Sequence, residues 1–178
     1  MTADTCGTVV PAHWVLATRL GELTVVHEGG VLTGLYFPRH WPRPDRAGFG
    51  VRADRGSEKV ARQLHEYLAG DRSVFDLPIE ARGAEFDRRA WDLIMQVPYG
   101  QTTTYGDLAR RLGAGTDPQD VGAAVGRNPL CILIPCHRVV GSTGSLTGYA
   151  GGLHRKRELL RIEQARITRM RQVPAVAR

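Results

Sequence analysis

Apolar positions near the start of the chain fall into short runs rich in valine, leucine and aromatic side chains. Glycine-bearing turns separate these runs, which is typical of β-strands joined by tight connections. We therefore predict strands over residues 14–17, 23–27 and 32–37. Residues 38–56 carry three prolines, three glycines and five arginines, and this composition predicts a mobile loop.

A helical repeat follows this loop. Ser57 is a suitable N-cap, Gly70 is a suitable terminator, and an apolar stripe at helical spacing lies between them. A further extended segment is predicted over residues 74–79. These elements predict a small α+β domain over residues 1–82. The stripe consists of Val60, Leu64, Tyr67 and Leu68.

From residue 83 onward the pattern becomes mostly helical. Apolar residues repeat at helical intervals between Phe86 and Val97, and Pro98 ends the repeat. A final helix is predicted over residues 154–165. We therefore predict a mostly helical C-terminal domain over residues 83–178. The final helix is expected to turn Leu159, Leu160 and Ile162 inward, to keep Glu163 at its buried border, and to lead into a frayed tail with Arg166, Arg169, Arg171 and Arg178.

Two short helices are predicted inside the C-terminal domain. Thr104 and Asp107 have the spacing of a capping box that opens a helix over residues 105–112. Pro118 can begin a second helix that reaches about Arg127. Two short helices joined by a glycine-containing turn have the outline of a helix-turn-helix. This outline alone is weak, because many short helix pairs bind nothing.

Length and cysteine content restrict the class of protein. The 178 residues suffice for one good hydrophobic core or two small ones. Three cysteines without a CxxC pair indicate neither a disulfide framework nor a zinc-finger site, and a reducing cytoplasmic compartment fits best. No signal peptide is visible, and no stretch reaches the roughly 20 apolar residues that span a bilayer. We therefore expect a cytoplasmic protein with no membrane contact.

The formal net charge of +6 is unevenly distributed. Residues 1–82 contain ten basic and ten acidic side chains, whereas residues 83–178 contain fourteen basic and eight acidic ones. The whole excess therefore lies in the C-terminal half. A basic half favours a polyanionic partner, most simply nucleic acid, although a generic arginine-rich surface explains the charge equally well.

The most informative stretch is Ile-Pro-Cys-His-Arg-Val-Val at residues 134–140. It places Cys136 in a proline-initiated turn after an apolar run, with His137 and Arg138 beside it. Neighbouring imidazole or guanidinium groups lower the pKa of a thiol from about 8.5 and favour the nucleophilic thiolate. We interpret Cys136 as a reactive thiolate. Small buried hydrophobes are the interpretation for Cys6 and Cys131.

The glycine-rich segment and the N-terminal histidines each have a functional and a simpler explanation. The Gly/Ser-rich residues 141–152 could wrap closely around a flat ligand, because glycine has no Cβ, or could form a plain linker. The histidines of the N-terminal half lack the spacing of metal ligands, and we expect them at the surface or half-buried. These histidines are His13, His27 and His40. No metal site is predicted.

Several motifs of the C-terminal half occur together in one register. They are Val97-Pro98-Tyr99-Gly100, Thr104-Tyr105-Gly106, Val121-Gly122, Arg127-Asn128-Pro129, the Cys136 stretch, Gly148-Tyr149-Ala150-Gly151-Gly152-Leu153 and Lys156. Across residues 86–163 they resemble, without a gap, the O6-alkylguanine-DNA alkyltransferases, which repair DNA by direct reversal. The N-terminal third resembles the family only loosely. The resemblance implies a ribonuclease-H-like N-terminal domain and a winged helix-turn-helix in the second domain.

The resemblance also implies a Cys-His-Glu relay. Cys136 would accept the alkyl group, and His137 would act through a water as its base. Glu163 would orient and charge-stabilise that imidazole, as in other activated nucleophiles. Asn128 would brace the turn that leads to the cysteine. The product is a thioether with no easy hydrolytic exit, so each molecule is expected to act once, without a cofactor or metal.

Contacts to the flipped base are implied around this relay. Tyr105 would help rotate the nucleotide outward and donate a hydrogen bond to the guanine. The backbone of Cys136 and Val139 would read the exocyclic amine. The amide of Ala150 would lie near O6, and Tyr149 would wall the pocket. Further pocket-lining residues are expected to be Val125, Cys131 and Thr147.

One position departs from the family pattern. Gln119 stands where the family usually presents an arginine that fills the gap left by the flipped base, and the acidic Asp120 follows it. Glutamine lacks the cation that attracts phosphates, and Asp120 would repel them. We expect weaker or more salt-sensitive binding to undamaged DNA than is usual for the family. Compensating cations could be Arg110, Arg111, Arg127 and Arg138. For Arg138, which adjoins Cys136, a structural role is an equal alternative.

The leading hypothesis is a stand-alone methylated-DNA–protein-cysteine alkyltransferase, each molecule of which acts once on O6-alkylguanine. Whether it also acts on O4-alkylthymine is left open by the sequence. Its partner would be double-stranded DNA, bound as a monomer or cooperatively side by side. A non-catalytic lesion-binding protein is a second hypothesis, against which Cys136 argues. An alkylation-responsive transcriptional regulator is a third, and 178 residues leave no room for its usual extra domain. A cysteine hydrolase is a distant fourth.

Overall fold

The computed structural model describes residues 10–172, with side chains as far as residue 170. Cys6, Arg178 and the side chain of Arg171, about which the sequence made predictions, lie outside the described part. Within it the protein is α+β, with a mixed sheet and five helices, which confirms the predicted fold class.

The N-terminal sheet has four strands in the order β3-β2-β1-β4. Strands β1 (Ala12–Thr18), β2 (Gly21–Glu28) and β3 (Val31–Tyr36) form an antiparallel meander. Gly29 and Gly30 connect β2 to β3 with φ angles of 57° and 83°, the positive values that a tight two-residue hairpin requires. The three predicted strands are confirmed.

The proline-rich loop contains more structure than its composition predicts. A 3-10 turn spans Arg46–Phe49, and β4 (Val51–Arg52) pairs parallel to β1. In the extended segment predicted over residues 74–79, Ile79 pairs with Leu32 through an isolated bridge.

Helix α1 (Glu58–Ala69) begins and ends where the sequence predicts. The Ser57 side chain accepts from the backbone of Val60, and Gly70 adopts a left-handed φ of 81° that ends the helix. Its apolar stripe is buried against the sheet and the C-terminal helix. One member, Tyr67, also carries a hydroxyl into the site described below.

The C-terminal half contains the other four helices. The helices α2 (Glu85–Met95), α3 (Tyr105–Leu112) and α4 (Pro118–Gly126) pack on one another. Thr104 and Asp107 form the predicted capping box at α3. A two-stranded parallel ribbon, β5 (Thr103–Thr104) and β6 (Val139–Val140), ties the start of α3 to the segment after Cys136.

The last helix, α5 (Leu153–Gln172), is longer than predicted. Two of the arginines expected to fray instead tie it to the end of α1, because Arg166 and Arg169 donate hydrogen bonds to the carbonyl of Gly70 at 2.7 and 3.1 Å. The extension carries mainly polar side chains, so no apolar repeat revealed it.

One hydrophobic core runs through both halves. The backbone of Leu35 in β3 bonds to that of Pro129 and Cys131, at 2.8 and 3.1 Å, in the segment leading to Cys136. The N-terminal sheet therefore positions the active-site segment directly. The division into domains at residues 82 and 83 stays a prediction.

Candidate active site

Cys136 lies in a short helical turn, Cys136–Arg138, between a buried apolar segment and β6. Asn128, which precedes the apolar segment in the chain, is fully buried and holds the segment in place. Its Nδ2 donates to the carbonyl of Ile134 at 3.0 Å, and its Oδ1 accepts from the backbone N–H of Leu130 at 2.9 Å. These bonds close a turn in which Ile132 has a φ of 72°, a conformation that costs a β-branched residue roughly 1–3 kcal/mol.

The pKa of the Cys136 thiol is lowered from its ordinary value, although burial opposes this. The largest cause is a hydrogen bond from the Cys131 thiol. A hydrogen bond from Asn128 and the charge of Lys156 lower the pKa further. The sequence predicted that His137 and Arg138 would lower this pKa, and that is wrong. Both side chains bond to Glu163 instead.

Glu163 is the centre of a fully buried polar network. Its Oε1 accepts from His137 Nε2 at 2.9 Å, from the Tyr67 hydroxyl at 2.5 Å and from Arg138 Nη2 at 2.9 Å. Its Oε2 accepts from the backbone N–H of Gly100 at 2.6 Å. Burial alone would raise the pKa of this carboxyl, but hydrogen bonds from His137 and Arg138, with the charge of Arg138, lower it to about 2. Glu163 is therefore an anion at neutral pH.

His137 is fully buried, and burial lowers its pKa in spite of the Glu163 partner. The ring is therefore neutral at pH 7. Because Nε2 faces a carboxylate that can only accept, Nε2 carries the proton and Nδ1 carries the lone pair. Nδ1 is buried and makes no hydrogen bond to the described residues. It is the ring nitrogen that can accept a proton.

A pocket of about 600 Å³ opens at Cys136. Its walls come from three places: the face of α4, the glycine-rich loop, and the loop after β3. The predicted lining residue Val125 is present, but Cys131 and Thr147 do not line it, because Cys131 is fully buried behind Cys136 and Thr147 faces outward. The lining is Trp41, Pro42, Tyr105, Gly122, Ala123, Val125, Gly126, Arg127, Cys136, Gly148, Tyr149 and Ala150.

Comparison with known proteins identifies the family. A family model described as the DNA-binding domain of 6-O-methylguanine DNA methyltransferase matches residues 85–165. A Mycobacterium tuberculosis protein named methylated-DNA–protein-cysteine methyltransferase is 41% identical over 155 residues, which cover 83% of this chain and 88% of that protein. The chain belongs to this methyltransferase family.

Solved structures of the methyltransferase family share the fold. The crystal structure of Mycobacterium tuberculosis OGT in complex with DNA superposes with a TM-score of 0.79 at 38% identity, covering 87% of this chain and 94% of that one. The O6-methylguanine-DNA methyltransferase of Pyrococcus kodakaraensis superposes with a TM-score of 0.62 at 25% identity, covering 86% and 98%. The family likeness therefore extends over the N-terminal half, where the motifs are loose.

The structure brings most of the predicted methyltransferase site residues together. Tyr105, Tyr149 and Ala150 line the pocket beside Cys136. The Tyr105 hydroxyl donates to the carbonyl of Thr147 at 3.3 Å. The backbone N–H of Val139 bonds to the carbonyl of Cys136, and Val139 itself is buried in β6.

The predicted DNA contacts are more dispersed. Gln119 and Asp120 are exposed in the first turn of α4. Arg127 is half-exposed at the pocket rim, and its guanidinium makes a two-point bond to Asp87, with both distances 2.7 Å. Of the two roles left open for Arg138, the structural one holds, because its side chain is buried and paired with Glu163.

Four residues near the methyltransferase site were missed or misjudged from the sequence. Lys156 is fully buried and donates to the carbonyls of Val139, Thr147 and Gly148 at 2.6, 2.6 and 3.0 Å. Burial lowers its pKa to about 8. The others are Tyr67, Cys131 and His40, and His40 was expected at the surface or half-buried but is 4% exposed. Only Lys156 gave a signal, as one position of the family motif.

The described residues offer neither a metal site nor a membrane span. No group of three or more His, Cys, Asp or Glu side chains in residues 10–172 is arranged to hold a metal ion. None of the helices in that part of the chain has both the length and the apolar character needed to cross a membrane.

Proposed function

We propose that the protein repairs DNA by transferring the alkyl group of O6-alkylguanine to Cys136, once per molecule, with O4-alkylthymine as a further substrate. One observation carries this proposal: a sulfur with a lowered pKa lies at the bottom of a 600 Å³ pocket that can admit a nucleobase. The names and the DNA complex of the relatives support the same reaction and the same partner.

The proposed reaction is a displacement at carbon. The nucleotide rotates out of the duplex, because a stacked base hides its alkyl group from a side chain. The Cys136 thiolate forms a bond to the alkyl carbon as the carbon–O6 bond breaks, and the electron pair leaves on the guanine. A proton then neutralises the guanine anion. The backbone N–H of Ala150 and the hydroxyl of Tyr105 are the donors proposed to stabilise the developing charge.

The buried network of Glu163 supports the proposed role of His137. A neutral imidazole with its lone pair on Nδ1 can take the thiol proton through a water, and the anionic Glu163 on Nε2 stabilises the imidazolium that results. Arg138 neutralises Glu163 and keeps its pKa low, so the carboxylate does not take the proton itself. Asn128 is proposed to hold the turn that carries the cysteine.

The proposed DNA surface is the exposed side of α3 and α4 beside the pocket mouth. Both helices are short, each has a side-chain cap at its N-terminus, and the exposed Arg110 and Arg111 lie at the end of α3. The exposed Gln119 and Asp120 support the expectation of weak, salt-sensitive binding to undamaged DNA. A Gln119→Arg variant with no gain in affinity for methylated duplex would remove that expectation. We further propose that the protein acts as a monomer in the cytoplasm.

The test is incubation with an oligonucleotide duplex containing O6-methylguanine, followed by the intact mass of the protein. We expect the mass to rise by one methyl group, up to one equivalent, without any added cofactor. The Cys136→Ala variant should show no increase. Continued turnover, or binding without a mass change, would reject the proposal in favour of a hydrolase or a lesion-binding protein.

A further inference from the structure

Tyr67 is a buried tyrosine of α1 whose hydroxyl reaches the Glu163 network from the N-terminal half of the chain. The residue is 1% exposed. Its hydroxyl donates to Oε1 of Glu163 at 2.5 Å, and the hydroxyl oxygen lies 3.2 Å from Nε2 of His137. A phenylalanine would bury the same ring, so packing alone does not require the hydroxyl.

The single proton of the Tyr67 hydroxyl determines what its oxygen can offer to His137. Burial and the charge of Glu163 raise the pKa of Tyr67 well above its ordinary value, so the hydroxyl keeps its proton. That proton is donated to Glu163, because an ionised carboxylate can only accept. Towards Nε2 of His137 the oxygen therefore presents only lone pairs, as Oε1 of Glu163 does at 2.9 Å. Two acceptors around one ring nitrogen require the imidazole proton on Nε2 and leave the lone pair on Nδ1.

Tyr67 also reduces the negative charge that Glu163 presents to the imidazole. Its 2.5 Å bond is the shortest of those that Oε1 accepts from the described side chains. A donor on a carboxylate oxygen withdraws charge and weakens the attraction of that oxygen for a neighbouring proton. The lone pairs facing Nε2 at 3.2 Å act in the opposite sense, but this contact is longer and weaker. The hydroxyl therefore disfavours the imidazolium form of His137.

The charged groups around His137 act in the same direction as Tyr67. Burial lowers the pKa of His137, Glu163 opposes this, and the charges of Arg138 and Lys156 lower it further. Arg138 lies in the same turn as His137 and bonds to both oxygens of Glu163, whereas Lys156 lies on α5. Tyr67 is a neutral donor from a third element, α1, and it contacts both the ring and the carboxylate.

We propose that Tyr67 is a positioning residue for alkyl transfer, whose hydroxyl holds the Glu163–His137 pair with the imidazole neutral, its proton on Nε2 and its lone pair on Nδ1. The inference rests on the proposed function. In that reaction the thiol proton passes through a water to Nδ1 as the Cys136 sulfur bonds to the alkyl carbon. The carbon–O6 bond breaks, and guanine leaves with the electron pair and takes a proton. Tyr67 gives up no proton in this step.

The test combines Tyr67→Phe with nitrogen NMR of the histidine rings, which reports the tautomer and the pKa of His137. The His137 signal is assigned by its loss in His137→Gln. Without the hydroxyl, the pKa of His137 should rise by about one pH unit, the scale of one hydrogen bond to a charged group. Single-turnover methyl transfer from an O6-methylguanine duplex should therefore slow by up to about tenfold on the acid side of its pH profile. At alkaline pH the rate should match that of the parent.

The matched control is Tyr99→Phe. The Tyr99 ring lies edge-on to that of Tyr67, with 5.9 Å between the ring centroids. Its hydroxyl is also buried, but it makes no hydrogen bond to any residue that the structure describes. Removing this hydroxyl should change neither the pKa of His137 nor the pH profile of transfer.

Site-specific incorporation of difluorotyrosine in place of Tyr67 is a second arm, which does not depend on the folding of the phenylalanine variant. A fluorinated phenol is a stronger donor, so the pKa of His137 should fall instead of rise. The same His137 pKa in all these proteins, or a rate loss that is equal at every pH, would overturn the role of Tyr67. A parent protein that transfers no methyl group would instead reject the proposed function, because the His137 titration is measured without DNA.

Discussion

The pKa of the individual Cys136 side chain is lowered by residues that are near it in space but not adjacent to it in the sequence. The Cys131 thiol, the Asn128 amide and the Lys156 ammonium lower its pKa, whereas the adjacent His137 and Arg138 bind Glu163. The sequence predicts Cys136 as the nucleophile because a Pro-Cys-His-Arg run is a poor core pattern. It could not identify the source of activation, because the direction in which each side chain points depends on tertiary packing.

The Cys131→Ala variant tests this activation. Removing the thiol donor should raise the pKa of Cys136, since the hydrogen bond from Cys131 is the largest cause that lowers it. The rate of methyl transfer should therefore fall at pH 6, and the deficit should shrink towards pH 9 as the thiolate forms anyway. The pH profile of transfer, with thiolate absorbance near 240 nm as a direct probe, measures this. A rate deficit that is equal at all pH values would mean that Cys131 contributes packing and does not lower the pKa of Cys136.

At the scale of elements, local signals predicted the helices well. The caps of α1, α3 and α4 are sequence-local, and all three helices begin where their capping residues indicate. The extension of α5 could not be predicted in this way, because it is held by tertiary bonds from Arg166 and Arg169 to Gly70. The order of the glycine-rich loop was likewise not predictable, since it depends on Lys156.

The Lys156→Met variant tests that dependence. Without the ammonium, the carbonyls of Val139, Thr147 and Gly148 lose a buried charged donor, a loss worth roughly 1.5–3 kcal/mol for a charged hydrogen bond. Amide hydrogen exchange over residues 141–150 should accelerate, while α1 and α2 keep their protection. The exposed Arg157→Met on the same helix is the matched control. Unchanged hydrogen exchange over residues 141–150 would show that the order of this loop does not depend on Lys156.

At the scale of the whole molecule, the N-terminal half completes the site. It supplies Tyr67 to Glu163, His40 to Cys131 and Trp41 to the pocket. The sequence placed all of the chemistry in residues 83–178, because the contacts that Tyr67, His40 and Trp41 make with that half join residues 70 to 109 positions apart. The family resemblance located the relay residues, while their buried partners became visible only in three dimensions.

Glu163→Gln tests how far this network stabilises the fold. Removing the carboxylate leaves the buried Arg138 without its counter-charge, which should lower the free energy of unfolding by about 3 kcal/mol at pH 7. The pKa of Glu163 falls from an ordinary 4.5 to about 2 on folding. Its contribution is therefore complete above pH 4.5 and is lost as the pH falls towards 2.

Urea unfolding of the parent and the variant between pH 7 and pH 2 measures both effects. The difference between the two proteins should narrow across the lower part of this range. The control is Glu158→Gln, whose more exposed pair with Arg161 on the same helix should contribute much less to the free energy of unfolding. A constant difference at all pH values would contradict the assignment of an anionic Glu163.

The central claim is that the alkyl group goes to Cys136 although a second thiol, Cys131, lies against it. Trypsin releases residues 128–138 as one peptide that contains both cysteines and His137. Tandem mass spectrometry of this peptide, after reaction with an O6-methylguanine duplex, assigns the methyl group to a single residue. We expect every methylated fragment to carry the methyl group on Cys136. A methyl group on Cys131 or on His137 would rule out Cys136 as the acceptor.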